Sequence, residues 1–135
     1  MEGRCACGSI RYELTKPSIE TSWCHCRNCQ RISGAPGAVY TTLPRSGFTV
    51  RHGTENLGRV RLTKGAERMF CSNCGSPLAT IIDDEPDTVD VTVATLDDPA
   101  AYPPEFHIFC NSKTDWFEPR DTLPRYARSR RDERP

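Results

Sequence analysis

The clearest signal in the chain is an alternation of apolar and polar positions with a period of two. Ile10, Tyr12 and Leu14 alternate with Arg11 and Glu13, and Val89, Val91 and Val93 alternate with Asp90 and Thr92. Successive strand side chains point to opposite faces, so this pattern predicts half-buried β-strands. Val60 and Leu62, set among Arg59, Arg61 and Thr63, repeat it more weakly. Further strands are expected over 38–43, 48–51, 67–70, 78–82 and 106–109, separated by Gly-, Pro- and Asp-rich breaks such as Pro44-Arg45-Ser46-Gly47. One stretch reads as helix: residues 27–33 allow two turns, which Gly34 and Pro36 stop. Asp97-Asp98-Pro99 has turn or helix-start chemistry. The class is mainly β, with residues 1–126 as one domain and 127–135 as a charged, flexible tail.

Composition narrows the picture. Only 36% of the 135 residues are hydrophobic, while 11 Pro and 9 Gly imply many turns, so the core is modest and would gain from metal staples. The 18 basic and 18 acidic residues cancel, which gives no reason to expect nucleic acid or an anionic membrane as partner. Five Arg fall within 125–135 against Asp132 and Glu133, a short basic tail only. No apolar run approaches membrane-spanning length. Eight cysteines follow a start, Met1-Glu2-Gly3-Arg4-Cys5, that has no apolar signal region. A reduced, cytoplasmic protein is expected, with cysteines serving mostly as metal ligands rather than disulfides.

Seven cysteines form three clusters: Cys5 and Cys7; Cys24, Cys26 and Cys29; Cys71 and Cys74. CxC and CxxC spacing lets a short turn aim its sulfurs at one centre, and thiolates suit a soft tetrahedral ion such as zinc. Seven divides as four plus three. Spacing alone leaves the pairing open, because 26/29 with 71/74 would also make a four-cysteine site. Joining 5/7 to 71/74 leaves an intact local triple, one ligand short of a closed structural site. Neither CxxC is followed by His, which excludes haem attachment, and thioredoxin-like redox chemistry would need a βαβ context that is absent.

Taken in order, several motifs now stand together. They are Gly3-x-Cys5-x-Cys7-Gly8-x-Ile10-x-Tyr12, Cys24-His25-Cys26-x-x-Cys29-Gln30-Arg31-x-Ser33-Gly34 and Phe70-Cys71-x-x-Cys74-Gly75-Ser76-x-Leu78. Leu96-Asp97-Asp98-Pro99, His107-Ile108-Phe109 and Ser112-Lys113-x-x-Trp116 follow. Over 3–126 the chain resembles the glutathione-dependent formaldehyde-activating enzyme family, which includes the centromere protein V type domains. The resemblance implies an Mss4-like fold of several small coiled antiparallel β-sheets stapled by zinc. It implies two zinc ions, a structural one on Cys5, Cys7, Cys71 and Cys74 and a functional one on Cys24, Cys26 and Cys29. The chain departs from the family pattern at Gly37, where many members carry a bulky aromatic, at Ala94, and at Cys110.

A saturated four-thiolate site supports the fold, whereas a three-thiolate site keeps a position for substrate. Three thiolates leave the ion with net negative charge, a weak Lewis acid better matched to a thiol than to hydrolysis. The expected activity is therefore that of a carbon–sulfur lyase joining glutathione and formaldehyde as S-hydroxymethylglutathione. The alternative is a non-catalytic zinc-stabilised binding module of the centromere protein V kind. Arg27 and Arg31 flank the triple and are candidates for glutathione carboxylates, with Lys113 a weaker one. His25 is expected to point away from the metal, either to solvent or into a hydrogen bond, a base role being the alternative. His107 is expected as a satisfied core histidine, His52 as exposed, and Trp23, Trp116 and Cys110 as packed in the core.

Overall fold

The computed structural model describes residues 1–63 and 65–130. Ten strands and one helix follow in order: β1 Glu2–Arg4, β2 Arg11–Leu14, β3 Glu20–Cys24, α1 Arg27–Ser33, β4 Ala38–Pro44, β5 Phe48–His52, β6 Leu57–Thr63, β7 Ala66–Cys71, β8 Pro77–Ile82, β9 Thr88–Thr92 and β10 Phe106–Ile108. They form a three-stranded sheet, β1-β2-β5, and a seven-stranded sheet, β10-β3-β4-β9-β8-β7-β6. The chain is mainly β, as expected. Every named pair is antiparallel except β10 with β3. That parallel pair requires a long return, which the Pro-rich stretch from Val93 to β10 supplies across the sheet.

The alternating positions face one another between the sheets. Ile10, Tyr12 and Leu14 pack with Leu43, Met69, Leu78, Ile81, Val89 and Val91 in a single core cluster. Strand alternation therefore sends the other residues of the large sheet to its outer face. There Thr42 donates to Asp90 (2.5 Å) and Arg68 donates to Thr80 (3.4 Å). Burial raises the Asp90 carboxyl to about 6. Among the described residues, no helix is long and apolar enough to cross a membrane.

Two strands escape the periodicity argument. β1 is Glu2-Gly3-Arg4, and its middle position is Gly because a Cβ there would lie 2.3 Å from the Tyr12 ring. β3 is polar, and its buried Thr21 is satisfied by the Thr41 hydroxyl at 2.9 Å. Hydrogen bonding, not apolar burial, makes both into strands.

Phe109 N donates to Arg128 O (3.0 Å) and Cys110 N to Tyr126 O (3.0 Å), so the chain beyond Tyr126 docks along the segment after β10. Arg130 pairs with Glu20 at 2.5 Å and lies 4.8 Å over the Phe106 ring. Residues 131–135, the rest of the expected tail, lie outside the described residues.

Two left-handed glycines offer a stability test. At Gly53 (φ +81°) an added Cβ would sit 1.8 Å from the Ser9 carbonyl oxygen, whereas at Gly34 (φ +67°) nothing lies within 4 Å. Gly34→Ala should cost about 1 kcal/mol, the strain of the left-handed backbone alone. Gly53→Ala should cost more than about 2 kcal/mol, since a backbone clash adds to that strain. Urea midpoints of the two variants test the contrast, and equal losses would contradict it.

Candidate metal centres

The first cluster joins the two sheets. Cys5 and Cys7 sit on the β1–β2 connection of the small sheet, while Cys71 ends β7 of the large one and Cys74 lies on the β7–β8 turn. All four sulfurs lie within 4.8 Å of one another. Cys5 to Cys7 is 3.6 Å and Cys7 to Cys71 is 3.9 Å. A tetrahedron with metal–sulfur bonds of about 2.3 Å has edges of about 3.8 Å, so this donor set fits zinc. Backbone amides support the sulfurs, Ile10 N donating to Cys5 at 3.3 Å and Cys74 N to Cys71 at 3.4 Å. Hydrogen bonds from Ser9, then Asn73, lower the Cys7 thiol to about 5. No pair is a disulfide among the described residues, since all eight cysteines are free. Of the two pairings that spacing allows, the fold brings together 5/7 and 71/74.

The second cluster is local. Cys24 ends β3, Cys26 caps α1 by accepting from Cys29 N at 3.2 Å, and Cys29 lies in the first helical turn. Gly34 closes the helix in the left-handed conformation, as its position in the sequence predicts. The three sulfurs lie within 4.8 Å of one another, with Cys29 and Cys24 at 3.3 Å. Hydrogen bonds from Cys24 and Cys29 hold the Cys26 thiol well below the ordinary range. Those same contacts with Cys26 and Cys29, together with burial, push Cys24 up. Three crowded sulfurs thus do not all ionise by themselves, and a cation is what would let them.

A cavity of about 450 Å³ is lined among others by Arg31, Ile32, Tyr40, Arg68, Phe70 and Thr80, and Arg68 connects it to the cluster. Arg68 Nη2 is 4.0 Å from Cys29 Sγ. Burial and then the Cys29 charge raise the Tyr40 phenol above its ordinary range. The cavity thus carries two guanidinium groups among apolar side chains, and one of them, that of Arg68, reaches the Cys29 sulfur.

A family profile described as glutathione-dependent formaldehyde-activating enzyme matches residues 1–112. The chain belongs to that family. A Halomonas elongata protein named "Putative glutathione-dependent formaldehyde-activating enzyme" is 30% identical over 125 residues, covering 87% of this chain and 80% of that one. An "uncharacterized lyase" of Schizosaccharomyces pombe is 30% identical over 77 residues, 57% of this chain and 54% of that protein. Among solved structures, a Rhodobacter sphaeroides protein superposes with a TM-score of 0.63 at 25% identity, covering 93% of this chain and 99% of its own.

In this member of the formaldehyde-activating family, some candidate residues stand as the sequence suggests and others elsewhere. His25 is wholly buried, and of its two expected settings the hydrogen bond is the one found: its Nε2 is 2.8 Å from His107 Nδ1. Burial above all lowers the His25 imidazole to about 4. His107 is a satisfied core histidine, with Nε2 2.9 Å from Asp121. Trp116 is 77% exposed, and Phe117, one residue on, packs against Trp23 and His25 instead. Cys110, expected in the core, is half-buried at the start of a short 3-10 turn, Cys110–Ser112, just after the strand that ends at Ile108. Arg27 is exposed and donates to Gln30, while Lys113 is tied to Phe117 O at 2.8 Å and to Glu118 at 3.1 Å. His52 is exposed, as expected. At Gly37 a Cβ would lie 3.1 Å from Cys24 O and 3.2 Å from His25 Nδ1, so this position abuts the three-cysteine loop.

Arg68 and Tyr40 escaped the sequence reading. Both stand in strands at polar-facing positions, where an Arg or Tyr is ordinarily just solvated. Nothing local signals that Arg68 meets a sulfur 39 residues away.

Proposed function

We propose that this protein is a carbon–sulfur lyase-type enzyme that joins formaldehyde to the thiol of glutathione, giving S-hydroxymethylglutathione, with two zinc ions per chain. The observation that carries the reading is Arg68, which lines a cavity together with Arg31 and Tyr40 and lies 4.0 Å from Cys29 Sγ of the three-cysteine cluster. Cys5, Cys7, Cys71 and Cys74 would hold a structural zinc and complete its coordination. Cys24, Cys26 and Cys29 would hold the second zinc, which when bound supplies the charge that keeps a substrate thiol deprotonated near neutral pH.

The rest is done by the chain. Arg31 and Arg68, which line the cavity, present guanidinium groups to the glutathione carboxylates, with Arg27 beside the three-cysteine loop as a further candidate. Apolar Ile32 and Phe70 exclude water from the sulfur and the aldehyde. The thiol sulfur adds to the carbonyl carbon, the C=O π pair becomes an alkoxide, and a proton equal to the one lost by the thiol returns to that oxygen. Rate comes from holding the two reactants together, since the uncatalysed addition needs only their encounter. A small-molecule thiol and aldehyde are the partners, and eight free cysteines fit a reducing cytoplasm.

Cobalt substitution tests the site. On cobalt-loaded protein, added glutathione should change the thiolate-to-metal charge-transfer absorption, and ¹³C exchange spectroscopy should show formaldehyde adding to glutathione faster with enzyme than without. An unchanged cobalt spectrum alongside a response to other small thiols would replace glutathione with one of them. Arg68→Ala should raise KM for glutathione about tenfold, the worth of one charge-assisted contact, with kcat within a few-fold. Steady-state kinetics on fully metallated variant decides this; an unaltered KM would locate the carboxylate elsewhere.

A further inference from the structure

Asp121, His107 and His25 form a chain of hydrogen bonds that ends on the three-cysteine loop. His107 Nε2 lies 2.9 Å from Asp121 Oδ2, and His107 Nδ1 lies 2.8 Å from His25 Nε2. Both rings have 0% exposure and stack with centroids 5.1 Å apart. Among the described residues His25 Nδ1 has no hydrogen-bond partner, and the space a Gly37 Cβ would take lies 3.2 Å from it.

The two ends of this chain dictate the same proton positions. A carboxylate only accepts, so His107 carries its proton on Nε2 and presents a bare Nδ1, to which His25 must donate from Nε2. Starting from His25, a buried N–H without an acceptor is costly, so its proton belongs on Nε2 and not on the unpartnered Nδ1. His25 is fastened through its backbone as well. His25 N donates to Ile108 O at 3.1 Å, and His25 O accepts from Gln30 Nε2 at 2.7 Å. Gln30 in turn reaches Ser112 O at 3.1 Å. The parallel register of β10 on β3, with His107 opposite Trp23, is what brings the two rings together.

We propose that Asp121 and His107 are positioning residues: they lock His25 as the Nε2–H tautomer and so hold the turn from Cys24 to Cys26 in the shape in which three sulfurs share one ion. His25 is then a strut and not a base, because its N–H is engaged and its remaining lone pair is covered by Gly37. Asp121, near the C-terminal end of the described chain, thereby acts on a loop formed almost a hundred residues earlier. This rests on the reading of Cys24, Cys26 and Cys29 as a metal site, except for the tautomers, which are independent of it.

Long-range ¹H–¹⁵N correlation spectra of histidine-labelled, zinc-loaded protein test the tautomers. His25 and His107 should each show a pyrrole-type Nε2 and a pyridine-type Nδ1; a proton on Nδ1 of either ring overturns the proposal. His107→Phe keeps a ring but removes the acceptor. A chelating dye should then strip zinc from the three-cysteine site about tenfold faster than from wild type, the size of effect expected for an outer-shell partner. The four-cysteine zinc should be released at its wild-type rate. Asp121 is exposed, so variants there are expected to fold. Asp121→Asn, which keeps an oxygen acceptor, should retain the wild-type release rate, and Asp121→Leu, which leaves the His107 Nε2–H unpaired, should release zinc faster, as His107→Phe does. Wild-type release from His107→Phe and Asp121→Leu would refute the positioning role. A wild-type chain that takes up no zinc at Cys24, Cys26 and Cys29 would instead defeat the proposed function, with the spectra still deciding the tautomers.

Discussion

Cys74→Ser is expected to leave the domain unfolded at room temperature. Cys74 is exposed, so the substitution opens no cavity and breaks no apolar packing, unlike a change at the fully buried Cys71. Any large loss must then come from ligation. The four-cysteine cluster ties the small sheet to the large one, through residues 64 apart at Cys7 and Cys71. Metal binding contributes on the order of 10 kcal/mol in small zinc modules, comparable with the whole stability of a domain of this size. A hydroxyl in place of one thiolate removes much of that. Circular dichroism and thermal melts should show a cooperative transition for wild type and none for the variant, and strong chelators should produce the same change in wild type. A variant melting within a few degrees of wild type would mean that the core shared by Ile10, Tyr12, Leu43 and Val91 holds the sheets together without the ion.

Cys29→Ser should behave in the opposite way: folded, with one metal in place of two, and at least about 100-fold less active, a loss of roughly 2.7 kcal/mol in transition-state stabilisation. Its cluster lies within six residues of chain at the end of β3 and the start of α1, so it links no distant elements. The helix keeps its cap, because the Cys29 amide still donates to Cys26 Sγ. The structural cost is limited to a buried thiol-to-hydroxyl change, about 1–2 kcal/mol. Metal analysis, a thermal melt and the rate of S-hydroxymethylglutathione formation together check the prediction. Loss of both metals, or unfolding, would show that the two sites are not separable. Retained activity would remove the three-cysteine cluster from the chemistry.

Much of this arrangement was legible in the chain because it is local. Tyr12, Leu14, Val89 and Val91 are buried at the alternating positions that predict them, since a strand's two-residue period directly encodes which face meets the core. The helix Arg27–Ser33 and its left-handed Gly34 followed from a stop signal next to a short polar run. What failed did so for want of periodicity. β3 is polar and owes its place to hydrogen bonds with neighbouring strands, and in the irregular stretch after β10 it is Phe117, not Trp116, that packs on Trp23.

By itself, the sequence determined the strands that alternate, the single helix and the three cysteine clusters, for turn geometry and side-chain period depend only on near neighbours. The tertiary structure alone decided that Cys7 meets Cys71, that His25 meets His107 across 82 residues, and that Arg68 lies beside Cys29. Those contacts arise from the order in which strands join a sheet. Strand order is settled by the packing of the whole core and carries no signature in the residues that it brings together.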